Sequence, residues 1–170
     1  MPMHWYFVVF LEVLAVLVSA SPAQADAPHN RRRFALVYGV NAYADSPLNN
    51  AVNDAEAMGA KLHSMEVQVF LRPNRTRDEI YEDVRSLANH VAMGDQVIVY
   101  LAGHGFSAGN ARFFMPRDAD LHRPTETSVN LGNIVTTLTG NGASVVLIVD
   151  ACRNQLDLSG TILNYGLRPI

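Results

Sequence analysis

Gln96–Gly105 reads QVIVYLAGHG, and Ser144–Asn154 reads SVVLIVDACRN. Each opens with an unbroken apolar run of strand length rather than an alternating one, the pattern of a strand covered on both faces. Each run then stops on residues that can do chemistry. His104 stands between Gly103 and Gly105, and Asp150-Ala151 leads directly into Cys152. The flanking glycines predict an uncrowded imidazole, because they let backbone approach closely and take up conformations other residues avoid.

Working outward, Phe34–Val40 (FALVYGV) and Val67–Leu71 (VQVFL) are two more strands of the same kind. Between them Ala51, Val52, Ala55, Met58, Gly59 and Leu62 recur at helical spacing. Pro73 closes the second run, and Thr76-Arg77-Asp78-Glu79 has the form of a capping box. Ile80, Val84, Leu87, Ala88 and Val91 continue from it as one apolar stripe, with a stop expected at Met93-Gly94-Asp95. Arg112–Met115 fits a short strand or hairpin arm, and Leu131–Leu138 a helix after Asn130. The order β-α-β-α-β-(hairpin)-α-β predicts an α/β fold with a mostly parallel central sheet between helical layers. Such open sheets bind their ligands beyond the carboxyl ends of the strands, where both His104 and Cys152 fall.

Composition narrows the function classes. The chain has 170 residues, 49% hydrophobic and 17% charged, with a mean hydropathy of +0.06. This is the balance of one globular domain rather than of a disordered tail. A net charge of −3 gives no basic footprint for nucleic acid. A single cysteine excludes an internal disulfide, a CxxC pair and a thiolate zinc site. The six histidines (His4, His29, His63, His90, His104, His122) show no metal-ligand spacing, and Gly103 and Gly105 form no dinucleotide fingerprint. Phe113 and Phe114 read as packing residues.

A lone Cys after a strand is ordinarily small apolar filler, and a lone His in a glycine loop is ordinarily a turn residue. Their joint placement is more specific. Each lies just past a buried-type strand, and 48 positions separate them, near the roughly 50 of a caspase-type His and Cys.

The segments FALVYGVNAY, LNNAVND (Leu48–Asp54), YLAGHG and IVDACRN, in this order, resemble the caspase/metacaspase family of clan CD cysteine peptidases. DACRN is similar to the nucleophile motif of bacterial caspase homologues. The resemblance covers residues 33–154, the large-subunit half, and implies a caspase-like three-layer fold of Rossmann-like type. It implies Cys152 as nucleophile, His104 as general acid/base, and backbone N–H groups of Gly105 and Cys152 as an oxyanion hole. Asp150 stands where Asp-cleaving caspases have Gln, and Asp54 matches a second acid lining the metacaspase primary pocket. Two carboxylates facing a substrate side chain favour Arg or Lys over Asp. Asp54 also fits an ordinary acid near a helix start.

Three departures from the family pattern qualify these expectations. Ala102 replaces a pocket Ser common in metacaspases, which predicts one missing hydrogen bond. Asp118 and Asp120 lie in the loop after the hairpin, but Asn130, Leu131 and Gly132 stand where further acids would complete a calcium cluster, so no calcium or other cofactor is expected. Only 18 residues follow Cys152, too few for the family's small-subunit half. Residues 155–170 then read as a short tail, and the Cys152 strand as an exposed apolar edge that invites pairing with another chain.

At the other end, Trp5–Ala20 is an apolar run broken only by Glu12, short for a membrane span, and Ala23-Gln24-Ala25 follows it as a small-x-small cleavage pattern. Residues 1–25 are therefore expected to be a removed signal peptide, and 26–32 a linker whose arginines flank the first strand. This places the domain in a secreted or periplasmic location with no lasting membrane insertion. Retention of the segment, with Arg31–Arg33 on the cytoplasmic side, is the alternative. The expected function is a cysteine endopeptidase acting on protein or peptide. A non-catalytic interaction module of the same fold competes with it, and a thiol transferase or other hydrolase on a doubly wound sheet is a third reading.

Overall fold

A computed structural model describes residues 31–151, 154–156 and 162–163. The expected leader, most of the linker, Cys152 and most of the tail lie outside them. Four parallel strands form the central sheet: β1 (Arg33–Gly39), β2 (Gln68–Pro73), β3 (Gln96–Gly103) and β7 (Ser144–Ala151), in the order β2-β1-β3-β7. Helices α1 (Ala51–Ser64), α2 (Arg77–Ala88) and α4 (Leu131–Thr139) supply the outer layers. A hairpin of β4 (Gly105–Ala108) and β5 (Ala111–Phe114), a single turn α3 (Pro124–Thr127) and β6 (Val129–Asn130) lie between β3 and α4. With β8 (Asn154–Leu156) and β9 (Ile162–Leu163) the hairpin and β6 make a second sheet, ordered β6-β5-β4-β8-β9.

The period of two along the strands separates two cores. Phe34, Leu36, Tyr38, Val97, Val99 and Leu101 pack with α2, α4 and the hairpin. Ala35, Val37, Tyr100 and Ala102 face the opposite way, onto Ala51, Ala55 and Leu62 of α1. The α1 face is built from small side chains, and the helix lies correspondingly close. A Cβ on Gly39 would collide with the Ala51 carbonyl oxygen and with Ala55. Burial of each large aliphatic on the other face contributes about 1.5–3 kcal/mol.

Local signals set the helix boundaries. The Thr76 hydroxyl accepts from the Glu79 N–H, and the Glu79 carboxylate accepts from the Thr76 N–H at 2.8 Å, so the capping box forms. Asn130 caps α4 through the Gly132 N–H. The stop of α2 comes earlier than the apolar stripe suggests, at Ala88, with Asn89 at the C-cap. Val91 stays buried from the following turn, so burial persists beyond the helix it seemed to mark. The hairpin arm is also longer than expected, because Gly105–Ala108 pairs as a second strand across a two-residue turn. Gly109 takes φ +57° there, as a primed turn requires.

β7 is the outer strand of the central sheet among the described residues. It exposes Val146 (56%), Ile148 (38%) and Val149 (44%), the apolar edge anticipated from sequence. No helix among the described residues is long and apolar enough to cross a membrane.

Arg32 is more than a solvated flank. Its backbone and side chain both donate to Asp95, which is only 5% exposed and also accepts from the Ala92 N–H at 2.9 Å. The Arg32 hydrogen bond, ahead of the backbone donors, holds the Asp95 carboxyl below the usual range. A depressed folded-state pKa stabilises above the unfolded value near 3.9 and loses that contribution as pH falls through the folded value. Asp95→Asn is therefore expected to lose about 2 kcal/mol in urea denaturation at pH 7. The gap from wild type should close as the pH is lowered below about 4.

Candidate active site

The carboxyl ends of β1, β3 and β7 meet in register. Gly39 pairs with Ala102, Ala102 with Asp150, and Gly103 with Ala151. His104 is the residue after Gly103, and Cys152, outside the described residues, is the residue after Ala151 in the sequence.

His104 is not the uncrowded residue its neighbours suggest. It is 6% exposed, and its ring lies against Tyr43 with centroids 4.6 Å apart. Nε2 is 2.9 Å from the Ser46 carbonyl oxygen. A carbonyl only accepts, so this contact places a proton on Nε2 and leaves Nδ1 of the neutral ring as the acceptor. The glycines serve the backbone instead. Gly103 has φ +155°, and a Cβ there would press on the Tyr43 hydroxyl and the Phe114 ring.

Tyr43, 8% exposed, is a residue the sequence did not single out. Its hydroxyl accepts from the His104 N–H at 2.9 Å and donates to the Met115 carbonyl at 3.0 Å, while the Met115 N–H donates to the His104 carbonyl at 2.9 Å. The β4–β5 register makes His104 and Met115 opposite one another. The phenol is thus inserted where a direct ladder bond would close. By the same alternation, Gly105 opposite Phe114 turns its N–H away from β5 toward the β8 edge. The loop carrying Tyr43 and Ser46 is fixed by Asn74, whose side chain accepts from the N–H groups of Asn41 and Ala42.

A second group gathers on the α1 face. The Tyr100 hydroxyl donates to Asp150 Oδ2 at 3.0 Å. Burial, then the bond to Asp150 and the negative charges of Asp150 and Asp54, push Tyr100 up to about 12. Asp54 lies in the first turn of α1, and both carboxylates belong to exposed residues. The structure therefore joins Asp150 to this phenol by a hydrogen bond, while Asp54 acts on it through its charge alone. Tyr100 was legible only as apolar strand; its phase shared with Ala102 and its polar tip were the available signal.

Asp118 and Asp120 make local contacts. Asp118 accepts from the Arg77 N–H at 2.8 Å, and Asp120 from the His122 N–H and the Arg123 guanidinium. No three His, Cys, Asp or Glu side chains gather into a metal set among the described residues. Phe114 is fully buried and Phe113 stacks on Phe106 at 5.0 Å, so both pack as expected.

The peptidase C14 profile, described as the caspase domain, matches residues 32–166. No curated protein matches the chain. Among solved structures, the crystal structure of protein GSU0716 from Geobacter sulfurreducens is similar, with a TM-score of 0.58 and 20% identity. The match covers 71% of this chain and 50% of that one, so this chain spans about half that protein's length. At that identity the likeness speaks to the fold.

Tyr43→Phe keeps the ring and removes the bridge, stranding a buried N–H and a buried carbonyl. It should destabilise the protein by about 2 kcal/mol in urea denaturation. Hydrogen exchange at the His104 amide should accelerate beyond what global unfolding accounts for.

Proposed function

The chain belongs to the caspase-domain family, and on that premise we propose that it is a cysteine endopeptidase cutting after Arg or Lys. One observation carries the reading: β3 and β7 are adjacent, parallel and in register to their last pair, Gly103 with Ala151. In the sequence His104 follows Gly103 and Cys152 follows Ala151.

In this mechanism His104 Nδ1 takes the Cys152 thiol proton, with Nε2–H held on Ser46. A free thiol has a pKa of about 8.5, so the base raises the thiolate fraction at neutral pH. Sγ attacks the peptide carbonyl carbon, and the oxyanion forms against the N–H groups of Gly105 and Cys152. Each donor is worth about 2.7–4 kcal/mol of barrier. The tetrahedral intermediate collapses as Nδ1–H passes its proton to the leaving amine, giving a thioester. His104 then deprotonates a water that attacks the thioester, releasing the acid and restoring the thiol. Asp54 and Asp150 supply the charge that selects a basic side chain.

The exposed valines of β7 favour a second reading, a module that pairs this edge with a strand from another chain. Fluorogenic peptides ending in Arg, Lys or Asp separate the two. The peptidase reading expects turnover of the Arg and Lys peptides, none of Asp, loss in Cys152→Ala, and a fall of at least about 10²-fold in His104→Ala. Absence of turnover together with a stable complex on pull-down would support the module instead.

A further inference from the structure

We infer that Tyr100 is a specificity-positioning residue: its hydroxyl fixes the Asp150 carboxylate for a basic substrate side chain, making the hydrogen bond that Ala102 cannot. The inference rests on the basic-side-chain reading above and adds to it a residue outside the reacting pair.

The register explains why a residue two positions back does this work. Tyr100 is opposite Ile148 and Ala102 is opposite Asp150. Asp150 is therefore the diagonal neighbour of Tyr100 on the same face, about 7–8 Å away at the backbone and within reach of an aromatic side chain. In the row Gly39–Ala102–Asp150 the two residues beside Asp150 carry at most a methyl and no polar group, so neither offers its carboxylate a side-chain donor. The Tyr100 hydroxyl enters from below, at 3.0 Å from Oδ2. Tyr100 itself is 4% exposed and is set in the core under α1, so the donor is held by packing.

A carboxylate on the last turns of an edge strand otherwise samples several rotamers. One neutral donor on Oδ2 orients it without neutralising it, so the full charge remains for a guanidinium or ammonium. The same donor lies under the influence of Asp54, whose charge also acts on the phenol.

The test measures hydrolysis of an Arg-ending fluorogenic peptide and, separately, calorimetric binding of acetyl-arginine amide to full-length protein. Tyr100→Phe should raise KM for the peptide roughly tenfold with kcat nearly unchanged, and weaken arginine-amide binding by the same factor. Adding Ala102→Ser, which sets a hydroxyl directly across from Asp150, should restore most of both losses. A merely structural Tyr100 would lower kcat and KM effects together, or lower stability, and Ala102→Ser would not rescue it; either result overturns the inference. Equal arginine-amide affinity in wild type and Tyr100→Phe, or no affinity in either, also overturns it. Peptide turnover absent while the affinity difference persists would instead remove the peptidase mechanism and leave this site standing.

Discussion

The in-register parallel pairing of β3 with β7 is the constraint from which the candidate site follows. Because side chains alternate with a period of two, a slip of one residue would turn Asp150 to the α2 face and away from Tyr100. It would also break the match between Gly103 and Ala151, the residues that precede His104 and Cys152 in the sequence. Apolar burial enforces the register: Val97, Val99 and Leu101 must face one core while Tyr100 and Ala102 face the other. The packing that stabilises the sheet is therefore also what indexes its functional end.

The two ends of the sheet divide the work. At the amino end, the buried Asp95 gathers the half-exposed Arg32 and the Ala92 N–H into a polar knot that ties the start of β1 to the turn before β3. At the carboxyl end, polar groups position rather than merely fasten. Tyr43 accepts from the His104 N–H and lies against its ring, the Met115 N–H takes the His104 carbonyl, and Ser46 fixes one imidazole nitrogen. Tyr100 does the comparable task for Asp150. Two phenols, one on each side of the sheet's end, hold His104 and Asp150 in place.

Much of this architecture was legible in the sequence, for identifiable reasons. Short continuous apolar runs rich in β-branched residues, such as QVIVYL, read as strands covered on both faces, and TRDE before an apolar stripe is a helix start with its own hydrogen bonds. The end of α2 was misplaced because periodic burial continues through Val91 after the helical hydrogen bonds have stopped. His104 was singled out from residue type and position, and Asp54 and Asp150 from the family resemblance. Tyr43 and Tyr100 were not, because their roles arise from contacts across 61 and 50 residues of sequence. No local pattern encodes where a loop returns or which diagonal neighbour a ring will reach. The crowding of His104 was missed for the same reason: the space its glycines free is taken by a tyrosine from another loop.

If His104 acts on the Cys152 thiol, the single cysteine allows that action to be read directly. The rate of iodoacetamide alkylation should be followed against pH in wild type and His104→Ala. The account predicts a wild-type inflection well below the free-thiol value of about 8.5, moving up toward it in the variant. Superimposable profiles in the two proteins, both with the inflection of an ordinary thiol, would contradict it.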